Sequence, residues 1–291
     1  MAFQGSQNDS DLVEYCAFNF PAVVLTLGKS NWSKLEKAYG NLIKDVQAKV
    51  RRSLSYSLHE VSKIVGIEIS EKSLCPAFDL FLKDFDDVKL GIISNLGSFL
   101  CNISEEKREY YFKVISELPD DIDNWRIREE LANQLIPLLS LATSIQVEEI
   151  LLKLCFSLFN DQTNYCVRKK ALYCSGLLFS KLSNEKTKKG KEQFLKYLES
   201  LSKGSCFKRQ LCLFALQSII PSISKKLYSE FFEEMFESFL DDKVPNVRLI
   251  LSQVIRDSLK SEEWSDNEKF KSFEKQLLQD EDRDVQYFIK K

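Results

Sequence analysis

Asp123-Asn124-Trp125-Arg126-Ile127-Arg128 is a polar, aspartate-containing turn that runs into a β-branched residue followed by a basic one. The same order of residue types recurs as Asp45…Val50-Arg51, Asp84…Val88-Lys89, Asp161…Val167-Arg168 and Asp241…Val247-Arg248. It ends as Asp280…Val285-Gln286, and Phe207-Lys208 is a weaker copy that lacks the aspartate. Successive anchors lie 38, 39, 40, 40, 40 and 38 residues apart. So regular a period marks an internal repeat, which decides the architecture before any local signal does.

The residues after each anchor repeat as well. Four positions on stand Leu54, Ile92, Leu131, Ala171, Leu211 and Leu251. Eight positions on stand Leu58, Leu96, Leu135, Ser175, Ala215 and Ile255, and eleven on stand Val61, Phe99, Leu138 and Leu178. These offsets trace one face of an α-helix, so each anchor opens a helix with a buried stripe. Upstream of the anchors lie further apolar helical stretches at 35–43, 74–82, 110–118, 150–159, 194–201 and 231–240. One unit is therefore helix A, a tight turn and helix B. Tetratricopeptide and ankyrin units run at about 34 and 33 residues, HEAT and armadillo units at about 40 to 47. The expected fold is all-α, an α-solenoid of HEAT-type antiparallel helix pairs forming an armadillo-like superhelix of about seven repeats.

The turn has a physical logic. Its Asp is expected to cap helix B by accepting free backbone N–H bonds. The Val or Ile is expected to enter the groove between repeats, and the Arg or Lys to pair with the Asp of an adjacent turn. Segment 12–27 reads as a helix B without its helix A, kinked at Pro21, and 285–291 as the first turns of a last helix B. Solenoids need polar caps at their ends, and neither end has one, so the chain reads as a piece of a longer array. Residues 1–10 are polar and expected to be disordered, leaving 11–291 as a single solenoid domain with incomplete repeats at both ends.

Bulk composition agrees. The chain has 291 residues, 44 % hydrophobic and 29 % charged, which suits a folded protein. Nine glycines and six prolines are few, as expected for helices joined by short loops. A net charge of −2 gives no field to capture nucleic acid or anionic lipid. The eight cysteines include no C-x-x-C pair and mostly stand among apolar residues, so they are expected to be buried free thiols in a reducing compartment. The expected location is the cytoplasm, with the nucleus also open; no membrane segment is foreseen. The basic run Lys186-Thr187-Lys188-Lys189-Gly190-Lys191 is read as a solvated inter-helix loop rather than a nuclear signal.

Enzyme signatures fail on inspection. Gly28-Lys29-Ser30 imitates the end of a phosphate-binding loop, but position 23 is Val23; Gly28 suits a helix C-cap. His59, the one histidine, has no second imidazole or thiolate at ligand spacing. The acidic pairs Asp86-Asp87, Asp120-Asp121 and Asp241-Asp242 fall in or beside A–B turns and read as solvated carboxylates. No catalytic, cofactor or metal site is expected. What remains is surface: turns of successive repeats should line one edge as a ridge. Trp125 and Arg126 offer an aromatic anchor with a cation there, flanked by Asp86, Asp87 and Lys49.

Several segments also resemble a known family. Phe20-Pro21-Ala22-Val23-Val24-Leu25-Thr26-Leu27-Gly28, Lys49-Val50-Arg51-Arg52-Ser53-Leu54, Ser57-Leu58-His59-Glu60-Val61 and Asn124-Trp125-Arg126-Ile127-Arg128 carry the likeness. They resemble the HEAT array of the regulatory-subunit-1 family of serine/threonine-protein phosphatase 4, continuously from about residue 14 to about 182. The scaffold subunit of protein phosphatase 2A shares the architecture and a similar Asn-Trp-Arg turn. The resemblance implies a non-catalytic regulatory or scaffold subunit that binds a serine/threonine phosphatase catalytic subunit and directs it to substrates. The alternative is a HEAT adaptor of another kind, such as a transport receptor or trafficking scaffold.

Overall fold

The computed structural model describes residues 5–183 and 185–291. These residues form helices and turns, with no strand among them. The repeat reading takes 11–291 as one domain; the contacts gather into two compact units, Met1–Leu141 and Ala142–Lys291. In each unit helix pairs stack in the manner of an α-solenoid.

In the first unit the B helices are Ala48–Val65, Asp86–Ser94 and Trp125–Asn133, and each packs on the next. The A helices Trp32–Leu42, Cys75–Phe81 and Glu105–Asp121 alternate with them. The second unit repeats the scheme, with B helices Tyr165–Leu172, Cys206–Ile219, Pro245–Leu259 and Arg283–Lys290 in contact in that order. Every position expected on the buried stripe is buried, including Leu54, Ile92, Leu131, Ala171 and Leu251. Close approach of neighbouring helices needs glycine, as two positions illustrate. A Cβ on Gly91 would sit 2.1 Å from Ser55 Oγ, and one on Gly176 would sit 2.2 Å from the Ser218 carbonyl oxygen.

The anchors open their B helices as expected, and Val50, Val88, Ile127, Val167, Val247 and Val285 are buried. The weak copy is displaced by one residue. Phe207 is 63 % exposed, and the residue that pairs with the next turn is Arg209, so Lys208 holds the place of the valine. Counted from Lys208, the offsets of four, eight and eleven fall on Cys212, Leu216 and Ile219, all fully buried.

The charge pairing between turns is real and directional. Arg51 forks onto Asp84, with Nε to Oδ2 2.6 Å and Nη2 to Oδ1 2.7 Å. Arg209 does the same to Asp242 (2.5 and 2.9 Å), and Arg248 to Asp280 (2.7 and 2.9 Å). Each of these arginines also donates through Nη1 to a carbonyl of its own turn: Asp45, Gly204 and Asp242 respectively. The aspartates do not cap helix B as expected. Asp45, Asp161, Asp242 and Asp280 accept the backbone N–H two residues on and so shape the turn. Capping falls to Asn124, Asn164 and Asp282, because a residue that begins the turn lies too far ahead of the helix to reach its first free N–H groups.

Other expectations need adjustment. Helix Gly5–Phe18 begins inside the stretch read as disordered, while residues 1–4 lie outside the described residues. Further along, the same helix is pinned to the first repeat by Lys49, which reaches Asp11 at 3.0 Å and Glu14 at 2.9 Å. A second helix, Phe20–Leu27, starts at the Phe20-Pro21 step and ends on Gly28, whose φ of 74° and N–H bond to the Val24 carbonyl make it the C-cap foreseen. The basic run is not a loop beyond Thr187: Lys188–Ser202 is a helix, and Lys191 lies 4.2 Å from the Phe231 ring centroid. Apolar packing of the lysine stem beneath its charge favours helix there. All eight cysteines are free thiols, but only Cys75, Cys155, Cys174 and Cys212 are buried; Cys16, Cys101 and Cys166 are exposed because they fall off the apolar stripe.

Candidate functional site

The turns of the first unit are brought together by bonds between repeats. Arg51 ties the first turn to Asp84 of the second, and Asn124 Nδ2 donates to Asp86 Oδ2 at 2.9 Å, tying the third turn to the second. Arg51 beside Asp84 holds that carboxyl below its ordinary range, outweighing the partial burial that would raise it; the same pair raises the Arg51 guanidinium. The Arg51–Asp84 pair thus stays ionised near neutrality and fixes the first two turns to each other.

On that framework stand three apolar side chains. Val46 is 93 % exposed and Phe85 70 % exposed, and Trp125 is half-buried. Arg126 is exposed, with its guanidinium carbon 4.6 Å from the Trp125 ring centroid, a cation–π stack that extends the indole face with charge. Asp86 and Asp87 are both exposed in the first turn of their helix, where the N-terminal backbone favours negative charge. Four of the five expected residues, Trp125, Arg126, Asp86 and Asp87, therefore belong to neighbouring turns. Lys49 differs, since its ammonium is committed to Asp11 and Glu14.

Val46 and Phe85 are the residues that sequence reasoning missed. Their signal was present: each is a single apolar residue in a polar turn, in Lys44-Asp45-Val46-Gln47 and Asp84-Phe85-Asp86. The repeat pattern drew attention to the conserved order of turn types instead. The arrangement suits recognition of a protein surface, with exposed apolar side chains set among charges.

His59, the remaining candidate for chemistry, is half-buried on helix Ala48–Val65, and burial lowers its pKa below the usual histidine value. Among the described residues no group of three or more His, Cys, Asp or Glu stands together as metal ligands. No helix among them is long and apolar enough to cross a membrane.

Residues 16–118 match the family model described as the protein phosphatase 4 regulatory subunit 1 middle domain. Over almost its whole length the chain is similar to protein phosphatase 4 regulatory subunit 1. It is 33 % identical to serine/threonine-protein phosphatase 4 regulatory subunit 1 of Rattus norvegicus over 303 aligned residues, covering 96 % of this chain. The proteins of the same name from Mus musculus and Homo sapiens are each 32 % identical over the same share. The likeness therefore runs past residue 182, where motif resemblance had faded, because divergent repeats keep an alignable order after their signature residues change. The chain spans 31 % of the length of these relatives.

Proposed function

We propose that this chain acts as a non-catalytic regulatory or scaffold subunit that binds a serine/threonine phosphatase catalytic subunit and directs it to substrates. One observation carries the reading: Val46, Phe85 and the Trp125–Arg126 stack stand on successive turns of the first unit, which also contains the matched middle domain. Phosphatase regulation is what the relatives' names state of those proteins. A regulatory role needs a fixed, exposed and partly apolar edge rather than a cleft, and this edge has that character. A cytoplasmic or nuclear setting would keep the eight thiols reduced.

The test is calorimetric titration of the chain with the phosphatase 4 catalytic subunit, comparing wild type with a Trp125→Ala, Arg126→Glu double variant. The expected loss is about 2 kcal/mol or more of binding free energy, with the thermal melt unchanged. Unchanged affinity in a folded variant would remove these turns from the interface. A collapse of helix content would show Trp125 to be a packing residue.

A further inference from the structure

In the second unit one position of the turn framework is left open. Arg51, Arg209 and Arg248 each meet two demands, a carbonyl of their own turn and a carboxylate of the next. Arg168 stands at the same place in its helix and meets only the first, donating through Nη1 to the Asp161 carbonyl. Six residues ahead of Arg248 stands Asp242, which receives Arg209; six ahead of Arg209 stands Lys203. Lys203 turns away to Glu199 at 2.6 Å. No carboxylate among the described residues pairs with Arg168.

A groove occupies the place of the missing carboxylate. It has a volume of about 510 Å³, and its lining includes Asp161, Tyr165, Arg168, Tyr197, Phe207 and Lys208. Two polar groups of its walls are already used. The Tyr197 hydroxyl donates to the Phe159 carbonyl, and Asp161 Oδ1 accepts from Thr163 N, Thr163 Oγ1 and Asn164 N. The Tyr165 ring lies 5.9 Å from the Arg168 guanidinium carbon and limits its swing. Phe207, 63 % exposed, supplies an apolar rim, and Lys208 a second cation.

We infer that this groove receives an aspartate or glutamate side chain, next to an aromatic residue, from an extended segment of a partner protein, with Arg168 forking onto the carboxylate as Arg51, Arg209 and Arg248 fork onto theirs. A planar guanidinium held by one bond and one ring is already arranged for a bidentate carboxylate. The groove has room for several side chains, so the neighbouring aromatic residue can cover Phe207. The site lies in the second unit and does not depend on the phosphatase proposed for the turns of the first.

The probe is a fluorescein-labelled peptide, Gly-Asp-Phe-Gly-Asp-Phe-Gly, titrated with the whole chain by fluorescence anisotropy. Arg168→Gln removes the charge and can keep the carbonyl bond, since Gln286 Nε2 donates to the Asp280 carbonyl at 2.5 Å in the equivalent place. Saturable binding is expected for wild type, weakened at least tenfold by Arg168→Gln with an unchanged melt. Lys203→Asp, which supplies the carboxylate from within, should weaken it as much while the fold is kept. A peptide with asparagine for aspartate should not bind. Absence of saturable binding at millimolar protein, wild-type affinity in both variants, or equal affinity for the asparagine peptide would each overturn the inference.

Discussion

Arg248 and Arg168 head equivalent helices and share a hydrogen bond to their own turn, yet they end in different surroundings. The Arg248–Asp280 pair is closed, each side chain only 7 % exposed. Arg168 faces a groove because the next turn offers Lys203 where the others offer aspartate. The comparison teaches that a repeat residue is structural or available according to what its neighbour supplies. One substitution in one turn is enough to turn a framework arginine into an unpaired one.

The comparison rests first on the buried stripe of the helices, which each unit has for itself. Leu131→Ala and Leu251→Ala remove fully buried side chains from the two units and should each cost about 2–5 kcal/mol in urea denaturation. Because stacked repeats couple mainly to neighbours, hydrogen-exchange protection should fall around the mutated repeat and persist further away. Protection unchanged at the mutated repeat would refute the register.

Next comes the difference between closed and open positions. Asp280→Ala removes the forked carboxylate from Arg248, leaving only the Asp242 carbonyl and Glu281 at 3.2 Å, and should cost about 1–3 kcal/mol, whereas Arg168→Gln should change stability by no more than about 0.5 kcal/mol. Acid titration sharpens the contrast. Desolvation raises the Asp280 pKa, but bonds from Arg248 and the Asp282 N–H outweigh it, so the carboxyl is held below its ordinary value. A carboxyl whose pKa is depressed by folding contributes stability that is present above about pH 4 and lost as pH falls through the folded value. The Asp280→Ala variant should lose less stability than wild type over that acid range. Equal acid sensitivity would show that the pair contributes nothing to it.

The smallest effect is expected from closing the open position. Lys203→Asp gives Arg168 a carboxylate and removes the exposed Lys203–Glu199 pair, two terms of opposite sign each below about 1 kcal/mol. The melt should rise slightly or stay level. A clear fall would mean that the new carboxylate does not reach Arg168.

The two helix registers around these positions show how far the sequence carried. Six anchors were legible because a valine or isoleucine stands directly before the basic or polar residue. The seventh was misread by one position, since Leu211-Cys212-Leu213-Phe214-Ala215-Leu216 is apolar on every face and its period cannot choose between two registers. The pairing of Arg209 with Asp242 makes that choice. At the candidate site, Trp125 and Arg126 were found because an aromatic residue in a polar turn stands out. Phe85 and Val46 carry the same kind of signal, a lone apolar residue in a polar turn, but their degree of exposure is visible only in the structure.

The sequence by itself determined the helix pairs, their period, the buried stripe and the existence of charge pairing, because all of these follow from local spacing along a chain with a fixed helical repeat. Only the tertiary structure decided which aspartate each arginine meets, that Lys49 is spent on the N-terminal helix, and that Arg168 is left open. Those outcomes depend on distances between residues some thirty to forty positions apart, which the order of residue types does not encode.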